Sequence, residues 1–357
     1  MRTRLAWVFG AAFVIPAAVH GQAAAESFVG SEKCSRCHPS EFRRQSESAH
    51  RSALYPVEKH PLRGAFPAGP KLVRGSAYRF DFAFAPPDFR IRIFDAADVM
   101  DLPVEWAFGA GRQAVTFVTR INRDYYVEHF GSYYPALGAY APTPGQDVIR
   151  PGTIAEAAGV VYKTSDPESG IAGCFECHST GPVTFAPDGK VQLTEMGVRC
   201  EACHGGRASH AADPARNRPA NPKNLTATQM NSFCGRCHRP PAASGVKIDW
   251  NYAWNVRHQP VYLAESRCFQ MSKGALTCLS CHDAHEPAGK KQASDYNQRC
   301  DACHSISSHP PKAVCVEKRP ANCVNCHMPL VSPQPPLRFT NHWIGIYGEG
   351  AKLKPVR

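Results

Sequence analysis

The chain has 357 residues, with 41 Lys and Arg against 30 Asp and Glu for a formal charge of +11, and 43% hydrophobic residues beside 31 Pro and 27 Gly. Pro and Gly at that density exclude a protein of long helices around one aliphatic core, so something else must supply buried apolar surface. The basic residues are scattered rather than gathered into a stripe, which excludes a nucleic-acid-binding face.

The chain opens on a secretory signal pattern over residues 1–25. Arg2 and Arg4 form a positive start, Leu5 to Val19 an apolar stretch interrupted by Pro16, and Ala23 to Ala25 a small-residue cleavage site, with a second possible cut after Gly21. The competing reading is a short N-terminal membrane anchor. No later segment is apolar enough to span a bilayer, so an exported chain without a membrane span is expected, in the periplasm or at the outer surface.

Residues 26–65 carry the first of seven C-x-x-C-H units, made of Cys34, Cys37 and His38. This is the pattern of c-type haem attachment. Two thiols three positions apart form thioethers to the two vinyl groups of one haem, and the following imidazole lies beneath the iron as proximal ligand. Zinc ribbons also use C-x-x-C pairs but require no His after each, and a disulfide framework leaves the His unexplained.

Residues 66–165 carry no such unit. Tyr78 to Phe84 and Phe89 to Phe94 alternate apolar with other residues, and Val115 to Thr119 and Tyr125 to Phe130 are β-branched or aromatic runs. These predict strands of a small, mostly antiparallel sheet, a haem-free β-rich insert serving as scaffold or docking surface.

The other six units crowd into residues 166–345: Cys174, Cys177 and His178; Cys200, Cys203 and His204; Cys234, Cys237 and His238; Cys278, Cys281 and His282; Cys300, Cys303 and His304; Cys323, Cys326 and His327. Steps this short predict a haem-dense cytochrome domain of short helices and loops wrapped on porphyrin. Asp213 to Asn224, rich in Pro and Asn, reads as a surface linker. Residues 346–357 form a tail expected to fray. Seven haems would add roughly −14 in propionates against about +7 in ferric cores, so much of the Lys and Arg excess reads as propionate partners.

Two cysteines are left over, Cys268 and Cys315. In an oxidising compartment they form a candidate disulfide; buried free thiols are the alternative. Low-spin haems also need a second axial ligand, His or Met. Outside the motifs the mature chain offers His50, His60, His129, His210, His258, His285, His309 and His342, close to one per haem. Of these, His60 reads as a surface or turn residue and His129 as a strand residue, leaving His50, His210, His258, His285, His309 and His342 as candidate distal ligands. Met100, Met196, Met230, Met271 and Met328 read as packing groups.

These residues resemble multihaem c-type cytochromes of the cytochrome c-552/c-554 type. The resemblance rests on Phe28 to Pro39 with Glu41-Phe42 and Ser48-Ala-His50, on Cys200 to Gly205 with His210, on Cys278 to His285, on Cys323 to Pro329, and on Phe339 to His342. It implies His50, His210, His285 and His342 as distal ligands. The nitrite-reducing relatives replace one proximal His by Lys, whereas every motif here ends in His.

Two functions follow. The first is an electron relay between a membrane quinol oxidase, or another cytochrome, and a terminal redox partner. The second is an oxidoreductase acting on a small nitrogen or sulfur oxyanion at one haem with an open distal position. There Arg123, Tyr125, Tyr126, His129, Tyr133 and Tyr134 would be the pocket, against the simpler reading of an aromatic strand core.

Overall fold

The computed structural model describes residues 27–73, 76–85, 88–166, 170–239, 247–287, 289, 291–304 and 323–356. The expected signal peptide, His309 and Cys315 lie outside the described residues, and with them the Cys268–Cys315 link.

Eleven strands precede the second motif: β1 (Leu54–Pro56), β2 (Gly69–Leu72), β3 (Arg79–Ala85), β4 (Asp88–Phe94), β5 (Val99–Pro103), β6 (Trp106–Phe108), β7 (Thr116–Arg120), β8 (Tyr125–His129), β9 (Gly131–Tyr134), β10 (Ala139–Pro142) and β11 (Gly159–Lys163). They form a four-stranded sheet in the order β2-β3-β4-β5, a five-stranded sheet in the order β1-β6-β7-β8-β11, and the hairpin β9-β10. Every pairing is antiparallel. The alternation in the sequence is the cause. Phe80, Phe82 and Phe84 of β3 and Phe89, Ile91 and Ile93 of β4 are buried, while the intervening Asp81, Arg90 and Arg92 form an ion-paired outer face with Asp101.

The inner face meets Phe117, Val127, Phe130, Tyr133 and Tyr140 in one apolar cluster shared by both sheets. Phe82 lies flat on Tyr140 with ring centroids 3.6 Å apart. The expected single sheet is therefore two, and its edge is drawn from upstream of residue 66, since β1 pairs with β6.

The helices are short: α1 (Ser31–Cys34), α2 (Pro39–Ser46), α3 (Ile154–Ala158), α4 (Ile171–His178), α5 (Cys200–His204), α6 (Ala208–Ala212), α7 (Ala227–His238), α8 (Gln259–Ala264), α9 (Arg267–Met271), α10 (Cys278–Cys281), α11 (Ala293–His304) and α12 (Cys323–His327). Every motif begins on a helical turn, which brings cysteines three positions apart onto one face. After His204 the turn is stopped by Gly205 at φ +71, a conformation glycine adopts without strain.

From Ser179 onward the described buried apolar side chains, prolines aside, are only Ala227, Met230, Val256, Val261, Tyr262, Leu263, Val331 and Leu337. A polypeptide this long with so few cannot hold itself together on side chains alone. No helix of the described residues is long and apolar enough to cross a membrane.

The tail does not fray as expected. Asn341 donates to the carbonyls of Lys352 and Leu353, Val356 donates to Ile346, and Leu353 packs on the cluster around Tyr262.

Candidate haem-binding sites

Four motif histidines stand ring to ring with a histidine from another part of the chain. His38 is 6.3 Å from His210, His238 is 6.0 Å from His50, His204 is 6.3 Å from His285, and His282 is 6.2 Å from His342, centroid to centroid. Nitrogens about 2 Å from a metal on either side of it put two imidazole centres roughly 6 Å apart. The spacing of all four pairs thus fits one iron between each two rings, too wide for ring stacking contact and too narrow for a second side chain between them.

The ring nitrogens fit the same role. His210, His342, His178 and His327 use Nδ1 against the carbonyls of Asn217, Thr340, Ala53 and Gly345 at 2.8–3.0 Å. Asp283 holds Nδ1 of His285 at 3.3 Å. In each case the bond to Nδ1 orients the ring and leaves Nε2 for a metal. Burial also lowers the pKa of His50, His178, His204, His238, His282 and His342, the last to about 4, which keeps them in the neutral form a metal requires.

His60 and His129 sit elsewhere. His60 has Nε2 on the Gly109 carbonyl and Nδ1 accepting from the Leu62 N–H, so neither nitrogen is free. His129 is 1% exposed inside the sandwich, with Nε2 2.7 Å from the Thr119 hydroxyl. The Thr119 hydroxyl itself donates to the Pro103 carbonyl, so His129 donates from Nε2. Of the suggested oxyanion pocket, Tyr126 and Tyr134 are buried and donate to Gly189 and Pro142, and Arg123 is exposed beside Asp124. These residues build strands and turns rather than one pocket; of them, Tyr126 packs against Phe175 of the second motif, while Tyr133 and His129 belong to the sandwich.

His258 caps α8 beside Arg239 and Arg257. Among the methionines, Met230 is buried against the Cys234 thiol at 3.8 Å and Met271 is exposed.

The motifs touch one another through their cysteines. Cys34 lies beside Cys200, Cys177 beside Cys237, and Cys234 beside Cys278. The first motif therefore meets the third, and the fourth meets both the second and the fifth. Cys203 faces Cys234, and Cys300 faces Cys281, Cys323 and Cys268.

Several residues that position these sites carry no signal in the sequence. Glu201, inside the third motif and 2% exposed, accepts from the backbone N–H groups of Val29, Gly30 and Arg207. It ties the first haem segment to the third. Asn217 in the exposed linker receives His210 and donates to Ser209 and Asp213. Ser266 accepts from Ile344 and donates to His342. Arg44, a candidate propionate partner by charge alone, is instead 3.0 Å from both Asp283 and Glu286.

No protein-family profile matches the chain. It is similar to the c-type polyheme cytochrome OmcC of Geobacter sulfurreducens, 29% identical over 136 residues, 34% of this chain and 17% of the relative. It is also similar to the multiheme cytochrome MtrA of Shewanella baltica, 26% identical over 179 residues, 45% of this chain and 46% of the relative. The matches span less than half the length of either relative. Both relatives are multihaem cytochromes. Two solved structures also superpose: the outer cell wall cytochrome OcwA, with TM-score 0.49, 16% identity, and coverage of 89% of this chain and 79% of that one, and an undecaheme cytochrome from the S-layer of Carboxydothermus ferrireducens, with TM-score 0.48, 17% identity, and coverage of 86% and 51%.

Proposed function

We propose that the chain is an exported heptahaem c-type cytochrome, periplasmic or at the outer surface, that relays electrons between redox proteins such as a membrane quinol oxidase and another cytochrome. The seven C-x-x-C-H units hold seven covalent haems c, with His38, His178, His204, His238, His282, His304 and His327 as proximal ligands. His210, His285, His50 and His342 are the distal ligands at the first, third, fourth and fifth motifs. His258 and His309 remain candidates for the others.

The observation that carries this reading is the interleaving of motifs. Each ring pair joins two distant segments, and thiol contacts run from the first motif to the third and from the fourth to the second and fifth. A cysteine sulfur is bonded to the edge of its haem, so contacting cysteines bring two haem edges within a few ångströms. That suits electron transfer between neighbours, and six-coordinate haems suit transfer without substrate binding. The fourth motif is the junction, with the second as a branch.

The test is the purified, exported holoprotein. Seven haems per chain by pyridine haemochrome assay, with low-spin ferric signals, are expected. Fewer than seven haems, or carbon monoxide binding to the reduced protein at several haems, overturns the reading.

A further inference from the structure

The face of the five-stranded sheet turned away from the sandwich meets the second motif. On β8, Tyr126 and Glu128 share this face, because side chains alternate along a strand, while Val127 goes into the sandwich cluster. On the neighbouring β11, Val160 stands opposite Glu128 and Tyr162 opposite Tyr126. Tyr162 and Cys174 pack on the same apolar cluster as Tyr126, Ile171 and Phe175, and the Glu128 carboxylate faces both Tyr162 and Cys174.

Glu128 is an unusual neighbour for such a surface. Its Oε2 accepts from Gln146 Nε2 at 3.0 Å and Tyr162 Oη at 3.4 Å. Among the described residues no Lys or Arg is within ion-pair distance. The charged group that faces it is Arg257, stacked on Trp254 and Phe339 with 5.5 and 5.6 Å to the ring centroids, and also facing His178. Desolvation raises the Glu128 pKa, against the smaller opposing effects of Gln146, Tyr162 and Arg257. Gln146 Oε1 is buried without a partner, an acceptor to which a protonated Glu128 could donate after a small rotation.

We propose that Glu128 is the proton-accepting group coupled to reduction at the second motif, so that the branch takes up one proton with its electron. This rests on the haem reading above. A haem held by Cys174, Cys177 and His178 would, on accepting one electron from its neighbour at the fourth motif, carry one positive charge fewer beside Glu128, and the Glu128 carboxylate would take one proton from solvent to become a carboxylic acid. On oxidation the electron leaves and the proton returns to solvent. Tyr162 and Gln146 are positioning residues for the carboxylate, and Arg257 limits how far it is raised.

The test is spectroelectrochemical titration of the holoprotein between about pH 5 and 8, a range that starts above the ordinary carboxyl pKa. In the unmodified protein one haem shows a midpoint potential that falls with pH, with a slope approaching about 59 mV per tenfold change in proton concentration. Glu128→Gln abolishes that slope and keeps the haem count, and Glu128→Asp retains part of it. A slope that survives in Glu128→Gln, or no sloping haem in the unmodified protein, overturns the proposal. Should Glu128→Gln not assemble, infrared difference spectra of the unmodified protein decide: a carboxylic C=O band appearing on reduction supports the proposal, and its absence refutes it. Full haem loading with low-spin spectra but no proton coupling would sink this inference alone and leave the relay reading standing.

Discussion

His204 and His285 lie 6.3 Å apart with ring planes 5° from parallel, though one ends the third motif and the other follows the fifth. Two imidazoles with centres at that separation, each on its own helix or turn, leave room for one metal bonded end-on to a ring nitrogen of each. Replacing His285 by Ala should therefore convert one haem of the holoprotein from low to high spin, with the haem count unchanged. Electron paramagnetic resonance of the ferric protein reads this. His60→Ala serves as the comparison and should leave every haem low-spin, because both ring nitrogens of His60 are committed to backbone groups.

Glu201 holds the entry of the chain. Its carboxylate takes the N–H groups of Val29 and Gly30, the latter at 2.8 Å, and that of Arg207. Hydrogen bonds to a charged acceptor contribute about 1.5–3 kcal/mol each and leave their donors unpaired when lost. Glu201→Ala is expected to destabilise the holoprotein by about 3 kcal/mol in denaturant unfolding, and Glu201→Gln by less. Amide exchange at Val29 and Gly30 should accelerate in both variants while exchange in β3 and β4 stays slow.

Acid should weaken the β-sandwich through His129. Burial pushes its pKa down to about 3, against an ordinary value near 6.5. The folded form keeps it neutral, while the unfolded chain binds a proton once the pH drops below about 6.5. Stability is full above that value and is lost as pH falls toward 3, by about 1.4 kcal/mol per unit. His129→Gln, which keeps a donor for Thr119, should flatten that part of the profile. Equal acid sensitivity in both proteins would refute the assignment.

Cys268 stands on α9, half-buried, facing Cys281 and Cys303. On the proposed reading fourteen cysteines are in thioethers, and a disulfide from Cys268 to Cys315 would leave no free thiol. Thiol titration of the denatured, unreduced protein should read zero, and a reading of two would establish buried free thiols instead.

Much of the fold was legible in local pattern. The alternation of Phe80, Phe82 and Phe84 with polar or small neighbours gave β3, and a like alternation gave β4, because a two-residue period has one physical solution on a half-buried sheet. What remained hidden was the pairing of strands. A hairpin such as β3–β4 follows from adjacency, but β1 joining β6, or β11 joining β8 across a long stretch of chain, depends on how the sheets close over a shared core. The pinned tail was missed for the same reason, since its partners at Asn341 and Ile346 are visible only once the chain has folded back.

The sequence by itself marks where the proposed haems would be bonded, because attachment is local chemistry: two thiols and an imidazole within five residues. It also supplied the set of spare histidines. Only the tertiary structure decided which of them face a motif. His50, His210, His285 and His342 do so because turns, backbone carbonyls and, for His285, the Asp283 carboxylate aim their rings, while His60 is consumed by Gly109 and Leu62 and His129 by the sandwich. The distal half of an iron site is assembled from segments far apart in the chain, and no spacing rule within the sequence encodes that meeting.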